Sequence, residues 1–434
     1  MYCGYITTIE GLRKHSNADR LQCATIFGNN VIVDLTFSER ERVVYFPTDG
    51  QLSEEFAVSN NLVRKMDSFG RNIGGYLDPD KRNITAIKLR GEKSDGLVLK
   101  LSVLEKYTDI SKLADGERIS VLNGKEICKK YIPKSNRSES VCGTMDKPLK
   151  KSKTSSSYPQ FFEHKDTAQL AYNKNAFMQG DTIYLTQKLH GTSFRVSNTV
   201  KVTRKERPWW IKRLFGVQDK VEKHYSVVSG TRRTVLDSDG SWGSNEFRKK
   251  YNTLFDGRLP KGMTVYGEIV GWVNNETPIM PRCNNSRMKD KEFLKMYGDE
   301  TVFTYGCKSG ENKCFIYRIT VTNEDNVTIE LPTEDVMNWC KKLGVNYVPL
   351  LEKFIYTTWE DLNERCNKYL DIPEPLSGGA HVTEGVVVRI DNRPTFTAYK
   401  AKSFSFKVLE GIIKDSATAP DIEEEEELIT NERK

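Results

Sequence analysis

One lysine opens the chemical reading of this chain. In Thr186–Arg195, TQKLHGTSFR, Lys188 stands two residues before His190-Gly191 and just after the apolar run Ile183-Tyr184-Leu185. That pattern predicts a strand ending in a turn, with Lys188 at its mouth. Alone, K-x-H-G fits many solvated turns. Its company downstream gives it weight. Thr264–Trp272 (TVYGEIVGW) sets Glu268 among apolar neighbours, and Cys314–Thr320 (CFIYRIT) carries Tyr317. Thr383–Ile390 (TEGVVVRI) sets Glu384 before a β-branched run, and Thr397–Phe404 (TAYKAKSF) carries Lys400 and Lys402. Period-2 alternation puts those last two lysines on one face of an extended segment. Such a pair repels itself unless an anion or carboxylates lie opposite, so the set points to the handling of a polyanion.

The elements that must position these residues divide the chain unevenly. At 434 residues it is long enough for two or three domains. Residues 1–125 read as short strands: Leu21–Phe27, Val31–Leu35, Arg42–Phe46, Ile84–Leu89 and Leu97–Leu101, with Gly28-Asn29-Asn30 as a hairpin turn. That pattern suits a small barrel. Residues 47–83 read as an inserted surface loop, and His15 and Asp19 as structural turn residues. Residues 126–160 have the composition of a basic, flexible linker; 129–157 hold eight basic and two acidic side chains. From Phe161 to residue 414 longer strands and amphipathic helices predict a second domain. Phe247, Tyr251, Leu254 and Phe255 share one helical face; Thr333 and Thr358 are placed to cap two further helices. Trp209-Trp210, in RKERPWWIKRLFG, predicts a short helix packing its tryptophans on the domain, although a basic aromatic segment also suits stacking on bases or a membrane surface.

Charge and cysteine usage narrow the partners. The net charge of +7 conceals an acidic tail: residues 415–434 carry −6, leaving +13 on the rest. A basic body suits nucleic acid, and the Glu423–Glu427 run reads as a disordered tail. The nine cysteines form no C-x-x-C pair, which predicts reduced thiols in an intracellular protein, cytoplasmic or nuclear. Cys307 and Cys314 flank a turn, but zinc would need two further ligands. No apolar run is long enough to span a membrane, and the amino terminus lacks a signal-peptide core.

Taken in order, KLHG (Lys188), YGE (Glu268), FIYR (Tyr317), EGVVVR (Glu384) and KAK (Lys400, Lys402) resemble motifs I, III, IIIa, IV and V of the covalent nucleotidyltransferases, the ATP-dependent ligases and mRNA capping enzymes. K-x-H-G-T is similar to the RNA ligase 2-like ATP-dependent RNA ligases. IEGLRKHSNADRLQCATIFGNNVIVD resembles the opening of OB-fold tRNA-binding modules, and an amino-terminal OB module resembles the Naegleria-type branch. The resemblance implies an α+β protein: an OB-like β-barrel (1–125), the linker (126–160), a nucleotidyltransferase (adenylyltransferase) domain on antiparallel sheets with flanking helices (161–414), and the tail (415–434).

It further implies ATP with Mg2+ or Mn2+, Lys188 as the nucleophile that carries AMP, and an ATP/AMP site comprising Lys188, His190, Arg232, Glu268, Tyr317, Glu384, Lys400 and Lys402. Glu384 would hold the metal through water. Glu268 would accept from a ribose hydroxyl, Tyr317 would lie against adenine, and Lys400 and Lys402 would neutralise phosphoryl charge. Arg232, with Arg233 as the alternative, aligns with a 5′-phosphate contact. Arg195 is either a phosphate contact or an exposed strand residue. The departures are His190 where many relatives have aspartate, Gln187 where an acid often precedes the lysine, and Arg318 in place of aspartate. The implied activity is sealing of 3′-OH and 5′-phosphate RNA ends at nicks by a monomer. The alternatives are a capping-type guanylyltransferase, or a non-enzymatic RNA-binding protein with a decayed transferase.

Overall fold

The computed structural model describes residues 2–133, 157–205, 207, 209–215, 218–236 and 243–415. Most of the expected linker, and all of the expected acidic tail beyond Asp415, lie outside the described residues. The chain is a mixed α/β protein built on antiparallel sheets. It divides into two compact units, and the division is interleaved. Unit 1 comprises Met1–Ser135, Cys283–Glu300 and Ser403–Thr418; unit 2 comprises Asn136–Arg282, Thr301–Lys402 and Ala419–Lys434.

In unit 1, β1 (Gly4–Thr8), β2 (Gly11–Lys14), β3 (Leu21–Ile26), β4 (Asn29–Asp34) and β5 (Arg42–Phe46) are short, half-buried strands. Next come helix α1 (Glu54–Ser59), β6 (Leu97–Lys100) and β7 (Arg118–Ile119). Strands β6-β5-β1-β7 form one sheet and β2-β3-β4 another, and no closed barrel is found among the described residues. The strands expected at Leu21, Arg42 and Leu97 are present; the one expected at Ile84–Leu89 is broken into Asn83–Ile84 and Ile87–Leu89. The segment 47–83 is more than a surface loop. Ser53 caps α1 by accepting from Phe56 N–H, and α1 buries Phe56 and Ala57 in a core with Ile6, Val44, Phe46 and Leu104. The capping signal, Ser followed by two acids, is present in the sequence but lies among glycines and asparagines that obscure it.

Unit 2 holds two large sheets. Its elements in order are β8 (Thr182–Lys188), β9 (Thr192–Lys205), α2 (Trp209–Phe215), β10 (Lys220–Gly230) and β11 (Met263–Gly271). Then follow β12 (Asn312–Thr322), α3 (Thr333–Leu343), β13 (Leu350–Ile355), α4 (Trp359–Asn367), β14 (Gly385–Ile390) and β15 (Thr397–Lys402). One sheet runs Ala168–Gln169, β15, β14, β8, β13; the other runs Val235–Leu236, β10, β9, β11, β12, Thr328–Glu330. Strand alternation explains the first sheet. Ile183 and Leu185 of β8, with Val386, Val388 and Ile390 of β14, pack with Leu362 and Cys366 of α4. Each such side chain contributes about 1.5–3 kcal/mol of burial. The alternate positions, Thr186, Lys188, Val387, Arg389 and Lys400, are left for the opposite face.

Three local expectations change. Pro332, not Thr333, precedes the first turn of α3, and Thr333 donates N–H and Oγ1–H to Asp391 instead. Leu254 is exposed, although Tyr251 and Phe255 of the same helix (Lys249–Phe255) are buried, and the predicted helix begins as a 3-10 stretch (Gly243–Arg248). Trp209 and Trp210 do not pack on the domain: they are 71% and 50% exposed. Thr358 does cap α4, accepting from Asp361 N–H at 3.2 Å. All described cysteines are free, Cys307 and Cys314 among them. No described helix is long and apolar enough to cross a membrane.

The last helix, α5 (Phe404–Asp415), belongs to unit 1 although it directly follows β15. Lys407 pairs with Asp95 at 2.5 Å and Lys414 with Asp49 at 2.9 Å, while Phe406 and Leu409 are buried. The Asp95 side chain is almost fully buried, so removing its cation leaves a stranded charge. Lys407→Met is expected to cost roughly 3–5 kcal/mol in urea unfolding; a change below 1 kcal/mol would show that the pair is effectively solvated.

Candidate active site

Three strands meet in register at one point. On β8, Lys188 lies opposite Gly385 of β14, and on the other side of β14 Gly385 lies opposite Lys402 of β15. Glu384 immediately precedes that row, and its carboxylate meets Lys188 Nζ at 2.7 Å. Gly385 is required here on two counts. Its φ is +150°, and an added Cβ would overlap the Ala401 carbonyl oxygen. The turn after Lys188 is equally constrained: a Cβ on Gly191 would collide with the Ile269 carbonyl oxygen of β11.

Glu384 is 2% exposed, whereas Lys188 is 21% exposed. Burial pushes the Glu384 carboxyl up, but the charges of Lys188, His190 and Lys402 outweigh it and hold the group below its ordinary value. Glu384 is therefore an anion, with the Lys188 ammonium beside it. Its Oε2 is buried without a hydrogen-bond partner among the described residues.

A cleft of about 180 Å3 opens beside this row, between the two sheets of unit 2. Lys188, Arg232, Glu268, Tyr317 and Lys400 line it. His190, Glu384 and Lys402 do not. The His190 N–H donates to Tyr305 Oη at 2.7 Å, and its ring meets Phe303 edge-on with centroids 4.8 Å apart. Glu268 accepts from Gly191 N–H at 3.2 Å, so motif III also fixes the turn behind Lys188. Arg232 pairs with Asp166, whereas Arg233 is not among the lining residues. Gln187 reaches the other face of the sheet, donating to Glu374, which is fully buried.

Arg195 is not an exposed strand residue. It is 1% exposed, stacks on Phe161 at 4.2 Å, and donates to the Thr231 and Phe161 carbonyls at 2.9 and 3.1 Å. It thus anchors the residue before Arg232. Arg318 forms a bidentate pair with Glu330 at 2.9 Å, both buried. Sequence reasoning missed His164, Asp166, Arg389 and Phe396, which also line the cleft. Arg389 was readable, being in phase with Val387 on β14. His164, Asp166 and Phe396 sit in irregular segments that carry no periodic signal.

His164 Nδ1 and Tyr317 Oη are 2.5 Å apart. Burial, with the charges of Arg195, Arg232 and Arg318, drives the His164 pKa well below its ordinary value, so its ring is neutral. Burial lowers His381 likewise. With folded values depressed, neither group affects stability above the unfolded value of about 6.5. As pH falls through that value the unfolded chain binds protons that the native chain refuses, so stability is lost. Each group should contribute up to about 1.4 kcal/mol per pH unit. His164→Asn should flatten the fall of the urea midpoint between about pH 7 and 5.5. An unchanged slope would mean that His164 is protonated in the native state.

Comparison with known proteins adds the following. An RNA ligase family model matches residues 181–409, more than half of the chain. No curated protein matches the sequence. Among solved structures, a lysine-to-methionine variant of the Naegleria gruberi RNA ligase with AMP and Mn is similar at 17% identity, covering 93% of this chain and 97% of that one, with a TM-score of 0.55. A lysine-to-alanine variant of the same protein with ATP and Mn is 16% identical, covers 95% and 99%, and has a TM-score of 0.56. The same ligase with PPi is 16% identical, covers 93% and 97%, and has a TM-score of 0.54. At this identity the structures establish a common fold, and the family follows from the sequence match: this chain is a member of the RNA ligase family.

Proposed function

We propose that the chain is an ATP-dependent RNA ligase that seals 3′-OH and 5′-phosphate RNA ends at nicks through a lysyl-AMP intermediate. One observation carries the reading. Lys188, Glu384 and Lys402 converge on the β8–β14–β15 row, beside a cleft that also presents Lys400, Arg232 and Tyr317. In the first step the deprotonated Lys188 Nζ attacks the α-phosphorus of ATP, forming a P–N bond as pyrophosphate departs. The Lys188 ammonium must first give up a proton, and the Glu384 carboxylate, 2.7 Å away, is within reach to take it. AMP then passes to the RNA 5′-phosphate. The RNA 3′-hydroxyl attacks that phosphate, forming the phosphodiester and expelling AMP.

Lys400 and Lys402 neutralise charge on the transferring group, and Tyr317 offers a ring to adenine. Glu268, which accepts from Gly191 N–H, is placed to meet a ribose hydroxyl in the same cleft. His190 acts from behind the turn, through the backbone that sets Lys188. Among the described residues no cluster of three or more His, Cys, Asp or Glu side chains is placed to hold a metal. Glu384, whose Oε2 has no hydrogen-bond partner among the described residues, would hold Mg2+ or Mn2+ through water. When bound, such a cation would supply charge neutralisation at the phosphates.

The resemblance of the segment IEGLRKHSNADRLQCATIFGNNVIVD to OB-fold modules supports an RNA-binding role for unit 1, with the RNA held on the 3′-hydroxyl side of the nick. Removing residues 1–125 is a poor test of that role, because α5 would lose Asp49 and Asp95. Chemistry at Lys188 is tested directly. The protein with [α-32P]ATP and Mg2+ should acquire covalent label, and Lys188→Ala should acquire none. Label that survives the substitution would remove Lys188 as the nucleophile. Label taken in preference from GTP would favour a capping-type guanylyltransferase, and no label from either nucleotide would favour an RNA-binding protein.

A further inference from the structure

Strand β9 outruns its sheet. Its pairing with β11 ends at Ser197↔Thr264, but its pairing with β10 continues to Lys205↔Lys220. From Asn198 onward the hairpin is two-stranded, and it carries α2 at its tip. At about 3.3 Å per residue it extends roughly 26 Å beyond the sheet. Burial falls away along it: Val196 is fully buried, whereas Arg204, Lys205, Lys223 and His224 are exposed. A two-stranded ribbon has little stability of its own in water, and this one displays apolar surface as well. Trp209 is 71% exposed, Trp210 50%, Leu214 72% and Val221 50%.

The same ribbon is strongly basic. Residues 198–227 hold eight Lys or Arg and three Asp or Glu, a net +5. Glu222 offsets Lys205 and Lys220, but Arg204, Arg207, Arg213 and Lys223 also face solvent. Flat aromatic rings among cations are the chemistry that holds a single polynucleotide strand: rings stack on unpaired bases, and cations follow the phosphates. The other end of the ribbon is the wall of the cleft, where Ser193 and Arg232 lie. One partner can therefore touch both ends. A lipid surface would account for the tip but not for the basic flanks running back toward the cleft.

We infer that the β9–α2–β10 hairpin is an RNA-gripping arm, whose Trp209 and Trp210 stack on unpaired bases of the RNA being joined. The inference deepens the ligase reading and rests on it for the identity of the strand. The test uses the full chain and a fluorescein-labelled, unstructured RNA of ~20 nucleotides, longer than a typical single-strand site. Trp209→Ala/Trp210→Ala should weaken binding at least about tenfold, and Trp209→Phe/Trp210→Phe should restore it to within about threefold, because the stacking faces remain. Self-labelling with ATP should be unchanged in both, since neither tryptophan lines the cleft.

Equal RNA affinity in the native and alanine proteins overturns the arm. So does loss of binding to phosphatidylcholine–phosphatidylserine vesicles with RNA affinity intact, which would mark a membrane tip. If RNA affinity depends on the tryptophans but no ATP label appears, the ligase reading fails while the arm is upheld.

Discussion

The pairing of Lys188 with the buried Glu384 is the constraint to which the rest of unit 2 answers. A carboxylate that is 2% exposed persists as an anion only where cations surround it. Three strands must therefore end in the same register, since a one-residue slip would turn Lys188 or Lys402 to the opposite face. The apolar side of the sheet enforces that register. Ile183, Leu185, Val386, Val388 and Ile390 can all be buried against α4 only when Lys188, Gly385 and Lys402 are aligned. The glycine at the centre of the row then follows from the closeness of its neighbours.

The neighbouring sheet applies the same logic. Glu268 and Gly191 join β11 to the turn after Lys188, and Tyr305 accepts from the preceding backbone N–H, that of His190. Arg195, buried and stacked on Phe161, fixes the backbone that carries Arg232. Much of what surrounds the lysine is thus scaffolding for the geometry of a turn, and the side chains with free faces are few.

The cleft-lining positions of the strands were legible because strands write their faces in alternate letters. EGVVVRI and TAYKAK separate into core and cleft positions by counting, and the structure places Lys188, Glu268, Tyr317, Arg232 and Lys400 around one cleft. His164 and Phe396 were not legible, since each comes from irregular chain brought close by tertiary contacts. The tryptophans of α2 misled for a related reason. Their hydrophobicity argues for burial, and only the pairing of β9 reveals that the sheet has ended before them. The expected barrel rested on strand count and on the resemblance of one segment to OB-fold modules; neither gives information about closure, and no closed barrel is found among the described residues.

The interleaving of the two units has a consequence for how the molecule is made. A domain at the amino terminus ordinarily completes its fold while later residues are still being synthesised. Unit 1 cannot, because α5 and the segment Cys283–Glu300 are parts of it. At 5–20 residues per second the ribosome needs on the order of tens of seconds to reach α5 after the first strands emerge. Through that interval Asp49 and Asp95 lack their lysines, and unit 1 awaits the two later segments that complete it.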